Sequence, residues 1–200
     1  LYLLGDFFAT EANLAKKWKL TGASLFEKAL LEQIEPDGTY TQHSAVYHRL
    51  MLHLALLYDA RCRLFGISLP DKVKEKLVAA TTWMANLLDN ESGQVPNLGH
   101  NDGTLLLPPG CSDFNDYQPT IQAASIAFRG AAVLPPGPWD SLARFLNLPL
   151  PALGNPAAMA HSSAIYRIGQ GSQWAALRAV QYKNRPAHAD QLHVDMWWDG

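Results

Sequence analysis

Apolar residues recur every three or four positions through several stretches in the first two-thirds of the chain. This spacing predicts amphipathic helices in residues 11–35, 44–66, 69–89 and 118–134. Gly66 stands where the second helix needs a C-cap, and Pro119 lies in the first turn of the fourth. The first two-thirds of the chain is therefore predicted to be helical.

The spacing of apolar positions changes to two after a Pro-rich stretch that contains "PPGP" and "LPLPALGNP". The later segments "SAIYRIGQ", "WAALRAVQY" and "LHVDMWW" alternate in this way, which predicts strands. Gly169-Gln170-Gly171 marks a turn between the first two. We therefore predict an α+β protein, with a helical domain in residues 1–150 and the start of a β domain in residues 151–200.

Composition and charge narrow the class of protein. The chain has 200 residues, of which 48% are hydrophobic and 17% charged, with a formal net charge of -2. A basic footprint for nucleic acid is absent, and no apolar run reaches the roughly 18 residues of a membrane span. The apolar start "LYLLGDFF" has no charged leader, so we expect an internal piece of a longer protein. Cys62 and Cys111 fit no metal spacing and are expected to be unpaired thiols.

The segment "PDGTYTQHSAVYHR", residues 36–49, concentrates polar and titratable groups at a predicted helix start. A helix that begins near Ser44 would bring His43 and Tyr47 onto one face. Neighbouring cationic groups would lower the pKa of Tyr47 and make it a proton-transfer group. The alternative is that Tyr47 packs in the core of an amphipathic helix while the histidines cap its surface.

Two later segments carry further candidate chemistry. "PNLGHNDG" and "CSDFNDYQP" offer short amide, imidazole and carboxylate side chains that suit sugar hydroxyls, although such residues also form turns for local reasons. "NRPAHADQLHVD" offers histidines and aspartates of the type that bind zinc. A complete set of four ligands is not visible in it, so a purely structural role stays open.

Four segments in order resemble the heparinase II/III family of polysaccharide lyases: "QIEPDGTYTQHSAVYHR", "VPNLGHNDG", "DYQPTIQAA" and "RPAHADQLHVDMWW". The resemblance runs through nearly the whole chain. It implies the end of an α/α toroid followed by the first strands of an antiparallel β-sandwich. This expectation agrees with the change from helical to strand periodicity.

The resemblance implies a carbon–oxygen lyase that cleaves uronic-acid-containing polysaccharide by β-elimination and leaves an unsaturated uronate. The implied partner is an acidic polysaccharide or oligosaccharide, such as a glycosaminoglycan, alginate or bacterial exopolysaccharide, in the periplasm, the cell envelope or outside the cell. No cofactor is required for the chemistry. A structural zinc or calcium ion in the β-sandwich domain is a further expectation.

The resemblance also implies site residues. Tyr47 matches the family's catalytic tyrosine in an "S-x-x-Y-H" context, and His188 and His43 are the other catalytic candidates. His188 is also the candidate metal ligand, although Pro186 stands where relatives often have a second histidine. The candidates for substrate binding are Gln42, His48, Arg49, Asn97, His100, Asn101, Asp102 and Arg185. Relatives neutralise the substrate carboxylate with an asparagine, which we expect upstream of this chain.

Two other functions remain open at this point. The first is a carbohydrate-binding protein that has the same fold without catalysis, because a fold does not fix a function. The second is a glycoside hydrolase that uses paired carboxylates such as Asp102 and Asp116.

Overall fold

The protein is a mixed α+β fold in the computed structural model, which describes residues 1–8, 13–108, 112–151, 165–182, 188 and 190–199. Across these residues six α-helices precede one three-stranded antiparallel sheet. The predicted α+β class is therefore confirmed. None of the helices in this part of the chain is both long and apolar enough to cross a membrane.

Four of the six helices lie within the predicted stretches. They are α1 (Tyr2–Phe7), α2 (Asn13–Gln33), α3 (Ala45–Leu64), α4 (Asp71–Asn86), α5 (Gln118–Ala124) and α6 (Ser141–Phe145). A π-helical turn at Ser125–Arg129 extends α5, and a 3-10 turn at Pro138–Asp140 precedes α6. The helix predicted at 118–134 ends early because Gly130 takes a left-handed conformation with φ of 71°, as helix C-caps often do.

The core of the helical part lies between α3 and α4. Val73, Leu77, Ala80 and Met84 of α4 are spaced by three or four residues and are each 0% exposed. They pack in one hydrophobic core with residues of α3 such as Leu52. Burial of one such large side chain contributes about 2 kcal/mol. Cys62 on α3 is a buried free thiol, as expected, whereas Cys111 lies outside the described residues.

The three strands form one sheet in the order β1 (Ile165–Gln170), β2 (Gln173–Arg178) and β3 (Val194–Trp198). Gln170 pairs with Gln173, so the loop between β1 and β2 has two residues, Gly171 and Ser172. Gly171 has a φ of 61°, which two-residue hairpin turns commonly require. A turn between β1 and β2 is therefore present as predicted, but it lies one residue later, because Gly169 and Gln170 belong to β1.

The inner face of the sheet packs on the helices around the end of α4. The indole Nε1 of Trp174 donates to Asp89 Oδ1 at 3.1 Å. Arg167 donates to the carbonyl oxygens of Asn86 and Leu88 at 2.8 and 3.2 Å. The helices and the sheet therefore share one hydrophobic core.

Candidate functional site

Three of the predicted site residues meet at the junction of helices and sheet. The Tyr47 ring, in the first turn of α3, stacks on the His100 ring with centroids 5.7 Å apart and planes 10° apart. The exposed His188 contacts His100 edge to face, with centroids 5.5 Å apart. The three side chains form one continuous row, which we call the Tyr47–His100–His188 row.

Local backbone contacts fix the first two members of this row. Ser44 caps α3, because its Oγ accepts the Tyr47 amide N–H at 3.2 Å. The same hydroxyl donates to the carbonyl oxygen of His100 at 2.5 Å, and the Ala45 amide donates to Leu98 at 3.0 Å. The start of α3 and the loop that carries His100 are thus held against each other.

Asp102 controls the protonation of Tyr47. The Tyr47 hydroxyl donates to Asp102 Oδ2 at 2.8 Å, and this hydrogen bond raises the pKa of Tyr47 above its usual value. Hydrogen bonds from Thr104 and then from Tyr47 lower the pKa of Asp102 to about 2. The prediction that cationic neighbours lower the pKa of Tyr47 is therefore wrong, because the group that contacts its hydroxyl is an anion.

His43 precedes α3 and does not share a helix face with Tyr47. The helix begins at Ala45, and His43 precedes it with a φ of 52°, so the predicted helical pairing with Tyr47 does not form. The His43 ring contacts Tyr182 edge to face at 5.1 Å. Burial, and then the charge of Arg178, lower the pKa of His43, so its imidazole is neutral at pH 7.

His48 and Arg49 both point into the core and are each 1% exposed. His48 donates to the carbonyl oxygen of Ala80 at 2.9 Å, and its ring stacks on Trp83. Arg49 donates to the carbonyl oxygen of Phe114 and packs against that ring. Neither side chain reaches the surface where Tyr47 lies, so in this geometry both support the core instead of contacting a ligand.

The amide candidates lie on the surface around the row. Asn101 Nδ2 donates to Asn97 Oδ1 at 3.0 Å, and both side chains are exposed on the loop that carries His100. Gln42 is exposed just before His43. These amides remain available to sugar hydroxyls or a carboxylate. Arg185 and Pro186 lie outside the described residues.

The two carboxylates of the hydrolase alternative have different surroundings. Asp102 contacts Tyr47 and Thr104, as described above. Asp116 accepts the amide N–H of Gln118 at 2.9 Å and lines a polar pocket of about 580 Å³ that Tyr47 does not line. Asp102 does not line that pocket either, so the two carboxylates are not paired across it.

Other residues of the segment predicted to bind zinc contact protein groups instead. Asp190 pairs with Arg178, and His193 Nε2 lies 3.0 Å from Asp195 Oδ2. Within the described ranges, no three histidine, cysteine, aspartate or glutamate side chains come close enough to hold a metal ion. A zinc or calcium ion bound by His188 therefore stays a prediction.

Arg178 and Tyr182 were not among the predicted site residues, yet both contact His43. Arg178 is 1% exposed, on the same face of β2 as the buried Trp174 and Ala176. Alternation along the strand assigns residue 178 to the buried face, and a charged residue at such a position requires a partner. A charged residue at a position predicted to be buried is therefore the signal in the sequence that points to Arg178.

Comparisons of the chain with protein-family models, with curated proteins and with solved structures found no match. The resemblance to the heparinase II/III family therefore depends on the four sequence segments alone. The Tyr47–His100–His188 row and its surroundings provide the structural basis for a function.

Proposed function

We propose that the chain belongs to a polysaccharide lyase that cleaves uronic-acid-containing polysaccharide by β-elimination. The observation that carries the proposal is the Tyr47–His100–His188 row, in which one hydroxyl and two imidazoles adjoin at the surface. Elimination needs a proton acceptor and a proton donor close together, and these side chains are suitable groups for both roles. The four segments that resemble the family support the same activity.

The protonation of Tyr47 supports a division of roles. Because its pKa is raised, the Tyr47 hydroxyl keeps its proton at pH 7 and suits the donor that protonates the leaving 4-oxygen. We assign the acceptor of the C5 proton to His188, an exposed imidazole that contacts the His100 ring beside Tyr47. The electrons of the C5–H bond form the C4–C5 double bond as the bond from C4 to the leaving oxygen breaks.

Substrate binding is assigned to the surface amides. The substrate carboxylate must be neutralised for the intermediate to form, and hydrogen-bond donors or a cation can do this. Asn97 and Asn101 are exposed amides on the loop that carries His100, and Gln42 is an exposed amide that precedes His43 in sequence. We expect them to bind sugar hydroxyls and to donate hydrogen bonds to the substrate carboxylate.

Two features support an α/α toroid followed by a β-sandwich, the finer fold that the resemblance implies. In the sheet, Ile168, Met196 and Trp198 lie on the face away from the helices and are 64%, 81% and 74% exposed. An apolar sheet face of this kind is typical of a sandwich in which a second sheet packs on it. In the helical part, α3 is buried on most sides, as the inner helix of an α/α toroid would be.

The test is ultraviolet absorbance of the unsaturated product, with the longest natural form of the protein and a panel of glycosaminoglycans, alginates and other uronate polymers. We expect absorbance to rise with at least one polymer. Tyr47→Phe should lower the rate about 10²- to 10⁴-fold, the usual contribution of a general acid or base. Tyr166→Phe is the matched control, because Tyr166 is 51% exposed on the sheet and remote in sequence from α3.

The assignment of His188 is tested in the same assay. His188→Ala should lower the turnover rate more than His43→Ala if His188 accepts the C5 proton. Full activity in Tyr47→Phe would remove Tyr47 from proton transfer. A folded protein that binds a polymer without any rise in absorbance would instead be the non-catalytic carbohydrate-binding protein.

A further inference from the structure

Arg178 and Asp190 form an ion pair that contacts two loops of the site. Arg178 Nη1 lies 2.8 Å from both carboxylate oxygens of Asp190. Its Nη2 donates to the carbonyl oxygen of His43 at 3.0 Å. On the other side, Asp190 Oδ2 accepts the amide N–H of Gly99 at 3.2 Å. One ion pair therefore joins the residues before α3, the loop that carries His100, and the segment before β3.

The two loops touch each other at the point where the ion pair holds them. A Cβ atom built on Gly99 would lie 2.2 Å from the carbonyl oxygen of His43, so only glycine permits this approach. His43 itself has a φ of 52°, an uncommon conformation for a residue with a side chain. Such a conformation persists when surrounding contacts impose it, and the hydrogen bond from Arg178 to the His43 carbonyl is one of these contacts.

A gain in stability alone does not explain why an ion pair occupies this position. Arg178 is 1% exposed, and the desolvation of a buried ion pair largely cancels its attraction. An apolar side chain could fill the same place beside Trp174 and Ala176 without that cost. The arginine offers something an apolar group cannot, which is directed hydrogen bonds to a carboxylate and to a backbone carbonyl at once.

We propose that Arg178 and Asp190 are positioning residues that hold the backbone at His43 and Gly99 and so set the arrangement of the Tyr47–His100–His188 row. Asp190 lies two residues after His188 and binds the amide next to His100, so it constrains both imidazoles of the row. Arg178 constrains His43 from the sheet. This inference rests on the proposed lyase function for its kinetic consequence, but not for its structural one.

Asp190→Asn is the first variant, because it removes the charge and keeps the shape of the side chain. Asp89→Asn is the matched control, since Asp89 is a buried carboxylate that also joins the helices to the sheet, through Trp174. Arg178→Lys keeps the positive charge but cannot donate to Asp190 and His43 in the same fork geometry. It serves as the second variant if Asp190→Asn does not fold.

Hydrogen exchange followed by mass spectrometry measures the structural consequence. We expect exchange in residues 40–47 and 97–104 to rise about tenfold in Asp190→Asn, while α4 keeps its wild-type protection. We also expect kcat on the uronate polymer to fall up to about 100-fold with KM little changed, because small displacements of reacting groups slow turnover. Asp89→Asn should lower the melting temperature without either effect.

The outcomes separate this proposal from the proposed function. If Asp190→Asn and Arg178→Lys show wild-type exchange in both loops, or only an increase that is uniform across the protein, the positioning role is wrong. Faster exchange confined to the two loops, with wild-type kcat, would also overturn it. If the wild-type protein has no lyase activity, the lyase proposal fails, and the exchange data still decide whether the ion pair orders the loops.

Discussion

Acid should unfold this protein through two histidines buried on α3. His48 and His53 are 1% and 0% exposed. His48 donates to the Ala80 carbonyl, while His53 accepts the amide N–H of Leu107 and lies 2.7 Å from the Thr120 hydroxyl. Burial lowers the pKa of both imidazoles to about 4. Both are therefore neutral in the folded protein at pH 7.

The sign and size follow from proton linkage. In the unfolded chain each histidine has a pKa of about 6.5, so between about pH 6.5 and pH 4 the unfolded state binds more protons than the folded state. The free energy of unfolding is thus highest above pH 6.5 and falls as the pH is lowered. Each histidine should cost about 2 kcal/mol between pH 7 and pH 5. Two such losses are large beside the roughly 5–15 kcal/mol of a typical domain.

Urea unfolding, followed by tryptophan fluorescence at several pH values, measures this loss. His53→Gln keeps a donor toward Thr120 but cannot be protonated, so it should remove about 2 kcal/mol of the loss between pH 7 and pH 5 even if it is less stable at pH 7. His188→Gln is the control, because His188 is exposed. The reasoning is refuted if His53→Gln loses as much stability on acidification as the wild type does.

Three further substitutions, two of them at glycines and one at a buried hydrogen bond, can be measured by the same unfolding assay. Gly38→Ala should destabilise the protein by more than about 2 kcal/mol, since Gly38 has a φ of 89° and a Cβ there would lie 2.2 Å from the Ala79 carbonyl oxygen. Gly66→Ala should cost only about 1 kcal/mol, because Gly66 has a φ of 65° but no atom lies within 4 Å of the added Cβ. Equal losses of stability in Gly38→Ala and Gly66→Ala would contradict this argument. Trp174→Phe should cost about 1–3 kcal/mol because it removes the hydrogen bond to Asp89, and a loss below 0.5 kcal/mol would show that this contact contributes little.

The local elements could be predicted from the sequence because their signals lie within a few residues. The buried stripe of α4 follows from the spacing of Val73, Leu77 and Met84. The hairpin follows from alternation and from Gly171. The position of the sheet could not be predicted, because the contacts that fix it join residues far apart in sequence. Arg167, for example, binds carbonyl groups at the end of α4 and leaves no local pattern.

The site was predictable to the extent that its residues lie on exposed turns. The segments identify Tyr47 and His100, but the hydrogen bond of Tyr47 to Asp102 and its stacking on His100 join α3 to a loop distant in sequence and have no signature in either segment. His48 and Arg49 were grouped with Tyr47 because they follow it in sequence. Successive residues of a helix are rotated by about 100°, so Tyr47 faces the solvent while the next two side chains enter the core.

The buried histidines and Tyr47 together decide how a pH profile of the proposed lyase should be interpreted. Because the hydrogen bond to Asp102 raises the pKa of Tyr47 above its usual value of about 10, loss of the Tyr47 proton should not limit activity at pH 8 to 9. At acidic pH, unfolding driven by His48 and His53 could imitate the protonation of a catalytic base. His53→Gln separates the two effects: inactivation by unfolding should move to lower pH in this variant, whereas a limb caused by a base in the row should stay unchanged. If the whole acidic limb moves with His53→Gln, its midpoint reports stability and gives no information about the base.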